Sequence, residues 1–240
     1  MWNRVDLKMR GKAAFQKNYW SCVAVAFIMS IITTIATGSN GRAGSQGIWQ
    51  DHSYHHYYGY GSGFTFFAAF LTVIVVIIAI GLAMLGIFVG NVLKVGGCQF
   101  FVENQTMQAR VQTIFEPFKS GQYVNLVVTM FLMHLFTVLW TMLFVVPGII
   151  KMYEYRMIPY ILAENPGMNR QEAFAISKRM MMGKKWETFV LDLSFIGWWI
   201  LSACTCGILG IFFVMPYVQA TNAEIYTANR AIAYNEGYIR

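Results

Sequence analysis

Five ionisable side chains stand among apolar neighbours in this sequence: His134, Lys151, Glu154, Arg156 and Asp192. Ionisable groups in a membrane-crossing helix generally face the bundle interior, pair with one another, and mark ligand paths, proton relays or counter-ions. Lys151 and Glu154 are three residues apart and share a helix face. Counting inward at about 1.5 Å per residue from helix ends near Ala163 and Glu187 puts Arg156 about 10 Å deep and Asp192 about 8 Å deep. These two lie at one level on consecutive helices and are expected to pair. The same count puts Lys151 near the midplane, level with His134. The five are candidates for lining a polar cavity that takes a substrate or a headgroup. The competing reading is a self-satisfied charge network that sets helix register, since the charges nearly cancel.

A second constellation is the stretch WQDHSYHHYYGYG, with Asp51, His52, His55 and His56 within six residues. Imidazole and carboxylate together are chemically adequate for copper, nickel or zinc. The surrounding Tyr57, Tyr58 and Tyr60 with several glycines describe equally well a loop resting at headgroup level. The four cysteines have no zinc-finger spacing, and a bridge between Cys204 and Cys206 would be strained by its single intervening residue. No nucleophile elbow, metalloprotease helix, phosphate loop or C-x-x-C motif occurs, so no catalytic residue and no cofactor is expected.

The elements that must carry these groups follow from composition. Of 240 residues, 57% are apolar and 12% charged, against about 45–50% and about 25% in a soluble domain. This is the composition of an integral membrane protein. The net charge of +7 is then explained by basic loops facing anionic lipid rather than by nucleic acid. Tyr19 to Thr37, Phe64 to Leu93 and Val124 to Ile150 are long enough to span, and Phe189 to Ala220 carries Asp192 as its one charge. A hydrocarbon core of about 30 Å takes about 20 helical residues.

Charge asymmetry sets the number of crossings. Lys151 to Lys185 holds seven Lys or Arg, which the positive-inside rule keeps in the cytoplasm. Val124 to Ala163 must then be a hairpin turning near Pro147-Gly148, and Phe189 to Ala220 a second one turning near Cys204 to Gly207. Six helices result, both termini are inside, and Arg42 is the one basic residue outside.

Repetition leads to the same architecture. ENQTM at Glu103 echoes ENPGM at Glu164, and Gly121 and Gly183 follow 14 and 15 residues past the respective Met. Each glycine precedes an aromatic that opens a span, and QKNYWSCV at Gln16 looks like a third copy. Each unit therefore has an interfacial helix, a Tyr or Trp anchor and a helical hairpin. Val111, Ile114, Phe115 and Phe118 form one amphipathic stripe; Ala173, Ile176 and Met180 form another, opposite Lys178 and Arg179. Asn169 and Glu172 have the spacing of a capping box. The N-terminal apolar stretch is longer than a signal-peptide core and reads as a first crossing.

The stretches LKMRGKAAFQKNYW, PGIIKMYEYRMIPYILAENP and AFAISKRMMMGKKWETFVLDLSFIGW resemble the bacterial membrane-protein family known as domain of unknown function nine-seventy-five. The resemblance covers nearly the whole chain except the loop from Gly38 to Gly63, and it implies an architecture and no activity. More distantly, Pro147, Gly148, Arg156, Pro159, Glu164, Ala173 and Ser177 are similar to a pattern in the membrane domain attached to some glycerophosphodiester phosphodiesterases.

The expected protein is all-α: a polytopic membrane helix bundle of about six transmembrane helices, paired as three hairpins, with cytoplasmic interfacial amphipathic helices. It is one integral membrane domain over 1–240, with repeat units near 1–93, 94–163 and 164–240 and an extracytoplasmic loop over 38–63. The cell membrane is its expected location. The expected function is non-enzymatic: binding or moving a lipid, a peptide or another amphipathic molecule. The alternative is an accessory subunit that docks a partner protein through its cytoplasmic helices. Membrane lipids are expected partners and nucleic acid is not.

Overall fold

The structure, a computed structural model, describes residues 3–37 and 62–239. Asp51, His52, His55 and His56 lie outside the described residues. All regular structure among the described residues is helical. Three helical runs are long and apolar enough to cross a membrane, Ala69–Thr106, Tyr123–Leu143 and Lys185–Cys204, with a shorter apolar helix at Tyr19–Ser30. The chain divides into two compact units, residues 31–90 and residues 1–30 with 91–240.

In the smaller unit, helix α3 (Ser62–Leu85) runs into a π-helical turn at Gly86–Gly90. The larger unit opens with α1 (Arg4–Lys17), which Asn3 caps by accepting from the Val5 amide at 3.0 Å. Leu7, Gly11 and Phe15, spaced by four, form its buried face. That face packs on the last helix, α12 (Met215–Asn235), where Gly11 meets Thr221. On the same contact Arg10 approaches Glu224 at 3.8 Å, and burial pushes the Glu224 carboxyl above its ordinary range. Helix α2 (Tyr19–Thr37) follows.

The centre of the larger unit is α4 (Asn91–Thr106), which buries Val92, Val95, Cys98, Phe100 and Phe101 against its neighbours. Two successive glycines let it be crowded from both sides. A Cβ on Gly96 would lie 2.0 Å from the Ile114 carbonyl oxygen, and one on Gly97 2.2 Å from the Met29 sulfur. Small residues at helix contacts are what close packing in a membrane requires, because lipid tails are as apolar as the side chains they compete with. The expected span ending at Leu93 is corrected here: the helical run continues to Thr106, so Lys94, half-buried, stands inside the run rather than at its border.

The expected amphipathic helix over residues 111–118 is instead a 3₁₀ turn, Val111–Phe115, followed by the short α5 (Glu116–Lys119). The tighter turn, followed by Pro117 in the first turn of α5, buries Ile114 but leaves Phe115 about half exposed. Helix α6 (Tyr123–Leu143) then ends at Phe144, whose extended backbone reverses the chain into α7 (Val145–Glu154). The reversal thus lies three residues before Pro147-Gly148. Proline is tolerated in a first helical turn, and Gly148 packs so closely on Thr141 that a Cβ would come within 2.3 Å of its hydroxyl.

After α8 (Ile158–Glu164), helix α9 (Arg170–Met180) buries Ala173, Ile176 and Met180 and exposes Lys178 and Arg179. Asn169 caps it through the Gln171 amide, two residues on rather than the three of the expected box. Helices α10 (Lys185–Leu193) and α11 (Ile196–Cys204) lead to a reversal at Thr205 to Gly207, where Cys206 and Gly207 both have positive φ. Only glycine adopts that conformation freely, and the Gly207 amide closes the turn on the Ser202 carbonyl at 2.8 Å. A π-helical turn, Gly210–Val214, passes Ser202 on the way to α12. All four cysteines are free thiols, Cys22 and Cys98 buried and Cys204 and Cys206 exposed.

Candidate functional site

Pro159 builds the site. Its ring removes one backbone donor and obstructs a continuous helix, so the chain turns at Tyr155 to Met157 between α7 and α8 and presents Arg156 at the break. The Arg156 guanidinium donates to both Asp192 oxygens, at 2.5 and 2.9 Å, and to Asn222 Oδ1 at 2.7 Å. Tyr153 adds a hydroxyl bond to Asp192 at 2.9 Å. A planar fork meeting a carboxylate in two parallel bonds is the strong form of this contact. It ties the helix break to α10 and α12.

A separate network lies one turn away. Glu154 is buried and accepts from Lys151 at 2.6 Å and from Lys185 at 2.5 Å. The Ser177 hydroxyl donates to the Glu154 backbone carbonyl at 2.6 Å, which brings in α9. Lys151 lies 5.6 Å from the Trp140 ring centre and 5.8 Å from that of Tyr155, distances at which an aromatic face attracts an ammonium.

The structure therefore gathers four of the five candidate residues into two networks, Lys151 with Glu154 and Arg156 with Asp192. His134 joins neither. It lines a cavity of about 420 Å³ whose wall also holds Lys94, Cys98, Tyr160, Arg156, Gln219 and Asn222. Met29, Met133 and Met152 supply an apolar side to the same cavity. Met152 is half exposed and His134 is exposed, so the cavity reaches the outer surface of the bundle.

Several residues of this site escape sequence reasoning. Lys185 reads as a loop residue but completes the Glu154 network. Asn222 falls beyond the last apolar stretch yet reaches Arg156. Lys94 sits next to the last residue of an apolar run and looks like a border charge. The available signal was its context, VLKVGGC, in which apolar and small residues continue beyond it. A further charged group, Glu164, accepts from the Tyr226 hydroxyl at 2.7 Å and pairs with Arg230.

No curated protein and no solved structure gives a significant match to this chain. Residues 143–232, which carry Lys151, Glu154, Arg156, Lys185, Asp192 and Asn222, match the family described as protein of unknown function (DUF975).

Proposed function

We propose that this chain is a non-enzymatic, multi-pass protein of the cell membrane that binds or moves an amphipathic molecule through the cavity walled by Lys94, His134 and Arg156. The observation that carries the reading is the cavity's mixed wall. Charged and hydrogen-bonding groups share about 420 Å³ with three methionines, and two of its residues are exposed on the bundle surface. That volume falls in the usual range for small-molecule sites, about 300–1,000 Å³. Unbranched, polarisable methionine adapts to apolar tails of varied shape. A lipid, a peptide or another amphipath fits such a wall.

In the proposed arrangement six crossings form three hairpins, both ends are cytoplasmic, and α1, the 111–119 segment and α9 lie on the inner leaflet. Supporting the repeat, Asn18, just before the first crossing, donates to the Ala109 carbonyl at 2.9 Å, in the turn following ENQTM. Asn125, early in the third, donates to the Pro166 and Met168 carbonyls, each at 2.9 Å, in ENPGM itself. Gly121 and Gly183, the paired glycines ahead of the crossings, both have positive φ. Cysteine accessibility labelling in a background lacking the four native thiols tests the topology. A cysteine at position 178 is expected to react only after the membrane is permeabilised; its labelling in intact cells would remove the six-helix arrangement.

The second reading, an accessory subunit whose cytoplasmic helices dock a protein, is favoured by the completeness of the two charge networks without any ligand. Gentle copurification in native lipid, followed by mass spectrometry of everything retained, separates the two. An amphipath retained by the wild type and lost when Met133 and Met152 are both changed to tryptophan, filling the cavity, is the expected result. Stoichiometric retention of a protein with no small molecule would transfer support to the accessory reading.

A further inference from the structure

Resting on the cavity reading above, we infer that the ligand is an anionic amphipath, a phosphate- or carboxylate-headed molecule with an apolar tail. Lys94 is its principal counter-charge and Arg156 its second contact. The cavity wall holds two basic side chains, Lys94 and Arg156, and no Asp or Glu. Arg156 is already balanced by Asp192. Lys94 is not balanced: among the described residues no carboxylate lies within ion-pair distance of it. The other polar groups of the wall include His134, Gln219, Asn222, Tyr160 and the Cys98 thiol, all hydrogen-bonding groups.

An ammonium on a half-buried wall without a carboxylate is unfavourable unless paired or hydrated. The neighbouring groups suit an oxyanion. Lysine, arginine and tyrosine are donors, and the amides of Gln219 and Asn222 each carry two more N–H bonds. Arg156 is also positioned to exchange partners. It holds Asp192 and Asn222 from the cavity wall, so an arriving oxyanion competes with Asp192 for the same guanidinium. Asp192 lies on α10, and ligand arrival would loosen the tie between the helix break and that helix. The apolar side of the wall, Met29, Met133 and Met152, then receives the tail, with exposed Met152 marking the way in.

The probes are dodecyl phosphate, dodecanoate, dodecyl maltoside and inorganic phosphate, titrated into the full chain in nanodiscs of phosphatidylcholine and followed by native mass spectrometry. The wild type is expected to bind dodecyl phosphate or dodecanoate at least tenfold more tightly than dodecyl maltoside, and inorganic phosphate is expected not to displace them. Lys94→Gln should erase that preference, and Lys94→Arg should keep most of it. The wild-type comparison alone decides the matter if Lys94→Gln does not fold. Equal binding of charged and neutral amphipaths overturns the anionic assignment but leaves an amphipath site standing. Binding of none of the three amphipaths removes the cavity reading itself. Displacement of dodecyl phosphate by equimolar inorganic phosphate would identify a free anion as the ligand and overturn the lipid-like class.

Discussion

Glu154→Leu is expected to destabilise this protein strongly. Removing one partner of a buried ion pair strands the other charge and typically costs about 3–5 kcal/mol. Here one carboxylate answers two ammonium groups, Lys151 and Lys185, so its loss strands both. The Glu154 side chain is 7% exposed, whereas those of Lys151 and Lys185 are 22% and 31% exposed. Long lysine stems can carry their heads toward water, which brings the expected loss to the lower end of that range, about 3 kcal/mol. Ser177 bonds the backbone carbonyl rather than the carboxylate, so the link to α9 survives and the effect reports the charge. Thermal unfolding in nanodiscs measures it. Glu154→Leu combined with Lys151→Met and Lys185→Met should melt higher than Glu154→Leu alone. If Glu154→Leu melts with the wild type, the two lysines are solvated without it and the network holds nothing together.

The second large effect is at Arg156 and Asp192, where the prediction concerns coupling rather than a single loss. Arg156→Met leaves the Asp192 carboxylate with Tyr153 alone, and Asp192→Leu leaves the guanidinium with Asn222. The pair is intermediate in burial, with side chains 19% and 32% exposed. Each single change should therefore cost about 2 kcal/mol, between the ~0–1 of an exposed pair and the 3–5 of a buried one. The double variant Arg156→Met/Asp192→Leu should recover part of either loss, because no charge is then left alone. A double-mutant cycle in nanodiscs isolates that interaction. Strict additivity would show that the two side chains touch without stabilising each other, and Asn222 would become the partner that matters to Arg156.

How much of this was legible in the residues depends on whether the relevant information was local. The three-residue spacing of Lys151 and Glu154 placed them on one helix face without reference to any other part of the chain. The Arg156–Asp192 contact followed from counting residues inward along consecutive apolar helices, on the expectation that a bilayer sets their common depth. The buried stripe of α9 was equally local, set by helical period, whereas the turn near Cys204 to Gly207 came from the distribution of basic residues along the chain. Failures arose where a local signal had two readings. Pro147 marks a turn or the first turn of a helix, and only packing of Gly148 on Thr141 decided for the latter. The stripe through Val111 and Phe118 assumed α-helical period in a segment that winds as a 3₁₀ turn.

By themselves the residues determined that the chain is helical, that several stretches are apolar enough for a membrane, and that charges among them need partners. Those conclusions depend on the solvent and on the helix period, which every residue meets individually. Only the tertiary structure decided which partners are met. Lys94, Lys185 and Asn222 lie 62, 29 and 66 residues from Arg156 in the sequence. Lys94 and Asn222 meet Arg156 at one cavity, and Lys185 reaches Glu154 two residues before it, because α4 packs on α8 and α12 while α10 packs on α7. Depth and periodicity constrain where a side chain lies along and around its own helix. Which helix stands opposite is set by shape, here by Gly96 and Gly97 admitting neighbours that any larger side chain would exclude.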